Sequence, residues 1–287
     1  MDTSSPFNPN SPQTLAISNL FVLSLVISAI IFVLVTGLVV YVALRYRRRE
    51  AGEPRQVAGN NRLEIAWTVA PALIVVTVFG LSIPTMRAAD PPQNREPDII
   101  VIGHQWWWEI RYPQSGIITA NEIHIPAGRP LLVRLESADV IHSFWVPELA
   151  PMRDLIPGKT NTITIQSDTP GTFGGACTEY CGLHNAWMRI RVTAHPQAEF
   201  DAWQQQQGRQ IAAPAADVAE GARVFAERTC VNCHVIGDTG IPVGPDLTHL
   251  ASRETLAAGV LQNTPENLYE WIRNPQELKP GSYMPDL

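Results

Sequence analysis

The first part of this chain carries very little charge. Asp2 is the only charged residue before Arg45, and the run from Leu20 to Leu44 has none. With a helical rise of ~1.5 Å per residue, this run extends about 37 Å, which exceeds the hydrocarbon core of a bilayer. A signal peptide has a short apolar stretch behind a basic start, so the missing basic start argues against one. The pattern therefore predicts a transmembrane helix.

A second uncharged run extends from Ile65 to Met86, and Pro71 within it is tolerated in a membrane helix. The two runs predict a transmembrane hairpin over residues 1–87. The short segment between them carries the arginines Arg45, Arg47, Arg48, Arg49, Arg55 and Arg62. The positive-inside rule places that segment in the cytoplasm, and both termini and the soluble domains on the periplasmic or extracellular side of the cell (inner) membrane. The excess of acidic residues after residue 88 favours a basic soluble partner.

Cysteine is scarce, with four residues in two close pairs. The first pair lies in the segment CTEYCGLHNAWM, residues 177–188. Two thiolates, an imidazole and a thioether suit copper better than an oxygen-seeking ion. A disulfide between Cys177 and Cys181, with Met188 in a hydrophobic core, is the alternative, because an exported domain is able to oxidise such a pair. The spacing favours the copper site.

The second pair lies in CVNCH, which matches the C-x-x-C-H signature of covalent haem attachment. Cys230 and Cys233 are predicted to anchor the porphyrin, and His234 to ligate the iron. A redox dithiol or half of a zinc site is the alternative, but neither requires the histidine. Met284, in the Pro- and Gly-rich segment KPGSYMPDL, is the candidate sixth ligand.

Short runs with alternating apolar residues over 88–198 predict an all-β sandwich. The glutamine- and alanine-rich segment 199–216 predicts an interdomain linker. Two amphipathic segments then predict a small, mainly helical domain over 217–287, with Thr264 as the N-cap of its second helix and Pro265 at the first helical position.

Several motifs in order along the chain resemble subunit II of haem-copper cytochrome c oxidases, of the kind with a fused C-terminal cytochrome c domain. They are LEIAWTVAPALI, GHQWWWEIRY, DVIHSFWVPEL, RDLIPGKTN, CTEYCGLHNAWM, CVNCH and KPGSYMP. The resemblance covers essentially the whole chain. It implies a cupredoxin-like sandwich with a binuclear copper centre, CuA, and haem c in the C-terminal domain. It also implies oxidase subunit I and other membrane subunits as partners, and a soluble c-type cytochrome as electron donor.

The resemblance implies the copper ligands residue by residue: the side chains of His142, Cys177, Cys181 and Met188, and the backbone carbonyl of Glu179. The carboxylate of Glu179 also reaches a magnesium or manganese ion at the interface with subunit I in the family. Trp106 matches the family's electron-entry tryptophan and is expected at the surface as a docking residue, although runs of tryptophan often contain a core residue. Asp139 and Asp154 match acidic positions of the family, but a turn-forming aspartate explains each nearly as well.

The copper loop departs from the family spacing C-x3-C-x3-H-x2-M, because His184 comes one residue early and Asn185 occupies the usual ligand position. Three outcomes follow: His184 binds after a local shift, Asn185 binds weakly through its amide oxygen, or the second copper is lost. Copper prefers imidazole to a neutral amide oxygen, so His184 is the predicted ligand.

The end of the sequence also departs from the family pattern. Cytochrome c domains usually continue past the axial methionine into a helix that packs near Gly221 and Phe225, whereas this sequence stops at Leu287. A truncated domain with a more exposed haem edge is therefore expected.

The resemblance implies an electron-entry subunit of a proton-translocating respiratory oxidase, with haem c and copper passing electrons to the haem of subunit I for reduction of oxygen to water. A copper-containing nitric oxide reductase subunit is one alternative, because the substrate site lies in another chain. A quinol oxidase subunit that has lost copper is a second, and a free-standing membrane-anchored electron carrier is a third. Asn185 is the only feature that favours the quinol oxidase subunit.

Overall fold

The fold comprises a helical, apolar unit and a larger soluble unit. A computed structural model describes residues 4–47, 59–89, 95–209 and 215–286. The apolar unit is Leu15–Ala88, and the soluble unit combines Met1–Thr14 with Ala89–Leu287. Each unit is described by itself below.

The apolar unit contains two long helices, α1 (Pro12–Arg45) and α2 (Asn61–Ala89). Both are long and apolar enough to cross a membrane, and their large apolar side chains are mostly exposed within the chain. Pro71 and Pro84 lie inside α2. The two predicted spans are therefore confirmed as helices. Of the arginines between them, Arg48, Arg49 and Arg55 lie outside the described residues.

The soluble unit contains a β-sandwich of two five-stranded sheets. The first sheet has the order β3-β2-β1-β5-β8 and the second β4-β10-β9-β6-β7. The strands are β1 Ile99–His104, β2 Trp107–Tyr112, β3 Ile117–Ala120, β4 Glu122–Pro126, β5 Leu131–Ser137, β6 His142–Trp145, β7 Arg153–Leu155, β8 Asn161–Ile165, β9 Gly171–Cys177 and β10 Arg189–His195. Most pairs are antiparallel, but β1 runs parallel to β5 and β4 parallel to β10.

The sandwich core forms because apolar side chains of both sheets point inward, as the alternation in the sequence predicts. In β10, for example, Ile190, Val192 and Ala194 are buried while the residues between them are more exposed. Trp108 and Phe144 are fully buried in this core, with ring centroids 5.9 Å apart in a T-shaped arrangement. This rigid core carries the loop between β9 and β10.

The segment before α1 belongs with the sandwich rather than with the predicted hairpin over 1–87. Glu148 accepts hydrogen bonds from the backbone of Ser5 (3.2 Å) and the side chain of Asn8 (2.9 Å). The backbone carbonyl of Asn10 accepts from the Asp168 amide at 2.9 Å. These bonds fix residues 4–14 on the sandwich surface.

The predicted linker over 199–216 begins as a helix, α3 (Gln197–Gln207). Phe200 is buried, and the ring of Trp203 stacks on His124 with centroids 4.3 Å apart. His124 Nδ1 and His195 Nε2 are 2.8 Å apart beside them. Because α3 packs on the sandwich, the free part of the linker is shorter than predicted; residues 210–214 lie outside the described part of the chain.

The C-terminal region is small and mainly irregular, with short helices. It contains α4 Ala219–Glu227, α5 Pro265–Arg273, α6 Pro275–Leu278 and the two-residue strands β11 Val235–Ile236, β12 Thr239–Gly240, β13 Thr255–Leu256 and β14 Leu261–Gln262. Both predicted amphipathic helices are present as α4 and α5. The hydroxyl of Thr264 accepts from the backbone amide of Asn267 at 3.2 Å, which confirms the predicted N-cap of α5.

The C-terminal region docks against the sandwich through a buried polar contact. Glu122 on β4 is 3% exposed, and its carboxylate accepts hydrogen bonds from the backbone amides of Glu254 and Thr255 and from the Thr255 hydroxyl, at 2.8–3.1 Å. The Arg189 amide also donates to the carbonyl of Ala258 at 3.1 Å. A buried carboxylate with three donors fixes the two parts together.

Candidate metal centres

A cluster of sulfur and imidazole side chains lies at one end of the sandwich. Nitrogen or sulfur atoms of His142, Cys177 and Cys181 all lie within 4.8 Å of one another, and all three residues are buried. The Met188 sulfur lies 3.9 Å from the Cys181 sulfur. Both cysteines are free, with the two sulfurs 3.7 Å apart, so the structure contains no disulfide between them. These are soft ligands brought together in a buried site, and soft ligands are the ones that copper prefers.

The cluster is positioned by strand ends that meet in the second sheet. Cys177 ends β9, His142 begins β6, and Met188 directly precedes β10. The Cys177 amide donates to the Met188 carbonyl at 2.9 Å, which closes the loop that contains Cys181. The ligand residues therefore lie on rigid strands and on a short loop closed by backbone hydrogen bonds.

His142 is held between a carboxylate and a sulfur. Its Nε2 lies 2.8 Å from Asp139 Oδ1 and its Nδ1 lies 3.8 Å from the Cys177 sulfur. A Cβ on Gly103 would come within 2.7 Å of the imidazole, so the ring fits only because that residue is glycine. Burial alone would lower the pKa of His142, but the bonds to Cys177 and Asp139 outweigh it and raise the pKa. A carboxylate on Nε2 leaves Nδ1 to face the sulfurs, which is the usual way that a metal-binding imidazole is oriented.

The thiols and Glu179 complete this geometry. The hydrogen bond between the two sulfurs, 3.7 Å apart, lowers the pKa of Cys177 and raises that of Cys181. The backbone carbonyl of Glu179 lies 3.3 Å from the Cys177 sulfur, whereas the residue itself is exposed. This placement fits the expected carbonyl ligand and leaves the carboxylate free, so a magnesium site at Glu179 stays a prediction.

The structure does not bring the predicted ligand His184 into this cluster. A single 3-10 turn at Asn185–Trp187 turns Asn185 toward the sulfurs instead, with its side-chain nitrogen 3.7 Å from Cys181 Sγ and 2.5 Å from the Glu179 carbonyl. The His184 ring is 3% exposed and lies edge-on to Trp106, with centroids 4.6 Å apart. His184 as a copper ligand stays a prediction, and it requires this turn to rearrange.

The prediction that Trp106 lies at the surface is wrong for this structure, where its exposure is 9%. Tyr283 of the C-terminal region stacks on the indole, with centroids 5.0 Å apart and 27° between the planes. The indole Nε1 donates to the Cys181 carbonyl at 2.9 Å. Trp106 therefore contacts the sulfur loop on one side and is covered from the other.

The haem-attachment motif lies on a 3-10 turn, Thr229–Asn232, directly after α4. Cys233 is exposed and Cys230 is half-buried. His234 Nδ1 donates to the Pro245 carbonyl at 2.8 Å, which leaves Nε2 free to ligate a metal. A Cβ on Gly244 would come within 2.8 Å of the His234 ring, so the glycine lets the backbone approach the imidazole closely. Free thiols and a free Nε2 fit covalent haem attachment.

Met284 lies in the loop after α6, as the sequence predicts. Its carbonyl accepts from the Gln276 side chain at 2.9 Å, and Gln276 also donates to Ser282 at 2.8 Å. These bonds brace the loop, and its role as sixth ligand stays a prediction.

Three residues around the site were missed by sequence reasoning. Gln105 donates to the Cys181 carbonyl at 2.7 Å, and Lys279 donates to the Trp106 and Ala257 carbonyls at 3.4 and 3.1 Å. Tyr283 is the third. The only available signal was their position within the quoted motifs, which does not reveal contacts between segments that are 76 residues apart for Gln105 and Cys181 and 173 residues apart for Lys279 and Trp106.

A histidine, two cysteines and a methionine on a β-sandwich, behind two membrane-spanning helices and before a C-x-x-C-H domain, define a membrane-anchored redox subunit. Family models match three parts of the chain: the cytochrome c oxidase subunit II transmembrane domain over residues 7–85, its periplasmic domain over 115–195, and cytochrome c over 218–287. The chain belongs to the cytochrome c oxidase subunit II family.

Curated relatives agree with this assignment. The chain is 37% identical to cytochrome c oxidase subunit 2 of Alkalihalophilus pseudofirmus, over 97% of this chain and 84% of that protein. It is 31% identical to the Bacillus subtilis protein of the same name, over 85% of this chain and 75% of that protein. It is also 32% identical to quinol oxidase subunit 2 of Bacillus anthracis, over 68% of this chain and 70% of that protein. Among solved structures, the periplasmic domain of subunit II of Bradyrhizobium japonicum cytochrome oxidase matches 42% of this chain and 100% of its own, with 28% identity and a TM-score of 0.39.

Proposed function

We propose that this chain is the electron-entry subunit of a proton-translocating respiratory oxidase, passing electrons from a c-type cytochrome through haem c and a binuclear CuA centre to the haem of subunit I, where oxygen is reduced to water. The observation that carries the proposal is the buried cluster of His142, Cys177 and Cys181 with the Met188 sulfur beside it. Membership in the subunit II family supports it.

In this proposal the side chains of His142, Cys177, Cys181 and Met188 and the carbonyl of Glu179 hold the copper ions. When bound, such a pair accepts and releases one electron. The protein's own contribution is rigidity: the ligands lie on strand ends and a loop closed by hydrogen bonds, and they are shielded from water. Because the ligands move little and the buried site takes up little solvent when its charge changes, the reorganisation energy of electron transfer would be small.

Haem c would be attached through Cys230 and Cys233, and His234 and Met284 would ligate its iron. The hydrogen bond from His234 Nδ1 to the Pro245 carbonyl orients the ring and increases its basicity. Ligation by a methionine together with a histidine would raise the reduction potential of the haem, which suits a group that receives electrons.

Membrane placement and partners follow the same proposal. The basic residues that flank the helix ends, among them Arg45 and Arg62, favour a cytoplasmic connection between the helices, so that both soluble domains face the periplasm or the cell exterior. Subunit I and the other membrane subunits would contact the apolar helices. Magnesium would bind the exposed carboxylate of Glu179 at the interface with subunit I.

Copper and electron paramagnetic resonance measurements on the full-length chain, reconstituted with copper, test the proposal. The expected result is two copper ions per chain sharing one unpaired electron. One copper or none would overturn the binuclear centre. A purified complex that oxidises a quinol but not a cytochrome would identify a quinol oxidase subunit, and one that reduces nitric oxide but not oxygen would identify a nitric oxide reductase subunit.

A further inference from the structure

The C-terminal region covers the tryptophan beside the copper ligands. Tyr283 is 72% exposed over its whole surface, yet its ring stacks on Trp106, and its hydroxyl lies 3.4 Å from Gln105 Oε1. Tyr283 also directly precedes Met284 in the chain. One covalent segment therefore joins a candidate haem ligand to a ring in contact with Trp106.

From Trp106 the contacts continue to the candidate copper centre. The indole nitrogen donates to the Cys181 carbonyl at 2.9 Å, and Gln105 donates to the same oxygen at 2.7 Å. Cys181 is itself a member of the sulfur cluster. A short route of bonded atoms, one ring stack and one hydrogen bond thus leads from Met284 to the Cys181 sulfur.

We infer that the Tyr283 ring is the electron bridge from the haem domain into the copper centre, and that Trp106 receives electrons from this chain's own haem domain rather than from a separate cytochrome. The inference rests on the proposed function. One electron leaves the haem iron and one electron reduces the copper pair. Tyr283 and Trp106 serve as the medium for transfer, and neither ring is oxidised or loses a proton.

The docking that holds the bridge in place is built into the structure. Lys279, 4% exposed, donates to the Trp106 and Ala257 carbonyls. The Glu122 carboxylate holds the backbone of Glu254 and Thr255 from a second direction. Two buried polar anchors in one interface indicate a fixed contact, whereas a tethered domain that samples many positions would not require them. A separate cytochrome consequently has no access to the Trp106 ring.

Flash-photolysis kinetics on the full-length chain with haem and copper bound test the bridge. A light pulse injects one electron into the haem, and absorbance follows its arrival at copper. Tyr283→Leu keeps apolar packing but removes the ring, and we expect transfer to slow by about tenfold. Tyr283→Phe keeps the ring, and we expect a rate within about twofold of the wild type. Tyr269→Leu, at an exposed tyrosine of α5, is the matched control and should leave the rate unchanged.

A second measurement distinguishes the loss of electron transfer through the Tyr283 ring from the loss of the contact between the C-terminal region and the sandwich. Hydroxyl-radical footprinting with mass spectrometry, on the chain without copper or haem, reports the exposure of Trp106. Trp106 should stay protected in the wild type, Tyr283→Leu and Tyr283→Phe. Wild-type transfer rates in Tyr283→Leu would overturn the inference, and so would slow transfer accompanied by a newly exposed Trp106. Failure of the wild type itself to reduce copper after the pulse would instead overturn the proposed function.

Discussion

Asp139 illustrates how one side chain outside the candidate ligand set prepares the copper site. Its Oδ1 pairs with His142 Nε2, and its Oδ2 accepts from the Gln105 amide at 2.6 Å. The carboxylate therefore fixes the imidazole tautomer and is itself fixed by the backbone next to Trp106. Orientation of this kind usually changes metal affinity without changing the ligands.

Replacing Asp139 tests this role. We expect Asp139→Asn to lower copper affinity by about 10- to 100-fold, because the imidazole loses its orienting charge. Competitive titration with a copper chelator measures the change. Asp201→Asn, at an exposed aspartate of α3, is the control, and equal affinities in the two variants would contradict the orienting role.

The copper loop has His184 one residue before the usual ligand position and Asn185 at that position, and this departure gives a second prediction. Because Asn185 already lies beside the Cys181 sulfur, we expect Asn185→His to raise the affinity for the second copper by supplying an imidazole there. If the turn keeps the His184 ring against Trp106, His184→Ala should keep the wild-type copper content. Metal analysis of both variants is the measurement. Loss of copper in His184→Ala would mean that the loop rearranges and that His184 is a ligand.

Among the elements, β4 carries the carboxylate that anchors the C-terminal region. Removing it in Glu122→Ala takes away the acceptor of the Glu254 and Thr255 amides, two hydrogen bonds that contribute about 1 kcal/mol each. We expect faster hydrogen exchange at the amides of Glu254 and Thr255, with the sandwich core unchanged. Glu136→Ala, at a half-buried glutamate of β5 paired with Arg134, serves as the control. Unchanged exchange at these amides in Glu122→Ala would exclude the anchor.

The contact between α3 and the sandwich predicts a dependence on pH. Burial, aided by the neighbouring His195, lowers the pKa of His124 to about 3 from its ordinary 6.5. Below pH 6.5 the unfolded chain therefore takes up a proton that the folded chain does not, and stability falls as the pH drops toward 3, by at most about 1.4 kcal/mol per pH unit for one proton. Thermal unfolding of the copper-free chain, measured at several pH values between 7 and 4.5, gives the melting temperature as a function of pH. This melting temperature should fall more steeply with decreasing pH for the wild type than for His124→Phe. Parallel curves would contradict the prediction.

Local sequence patterns predicted the elements well where the period was clear. The uncharged runs gave α1 and α2, and alternation gave β8 and β10. Helix α3 was missed because its second half is a run of glutamines without a hydrophobic period, and its large apolar residues packed on the sandwich are limited to Phe200 and Trp203. The sulfur cluster was predictable because its cysteines and methionine lie within one loop. The burial of Trp106 was not, because its cover comes from Tyr283, in another domain.

For the chain taken together, charge favours a particular donor. In the C-terminal region, residues 217–287, ten acidic residues outnumber five basic ones. We expect reduction of haem c by a basic soluble cytochrome to slow as salt is added, because screening weakens the long-range attraction. Stopped-flow mixing at several ionic strengths measures this, with an uncharged reductant as the control. A rate that is independent of salt would contradict electrostatic steering.

The stack of Tyr283 on Trp106 also insulates the copper centre. An open tryptophan would let any redox protein of suitable potential give electrons to the copper or withdraw them. With the ring covered, the proposed transfer from the haem domain to copper would be a unimolecular step, so dilution would not slow it. A subunit built in this way would accept electrons from fewer donors, and its copper centre would be protected from electron exchange with unrelated redox proteins.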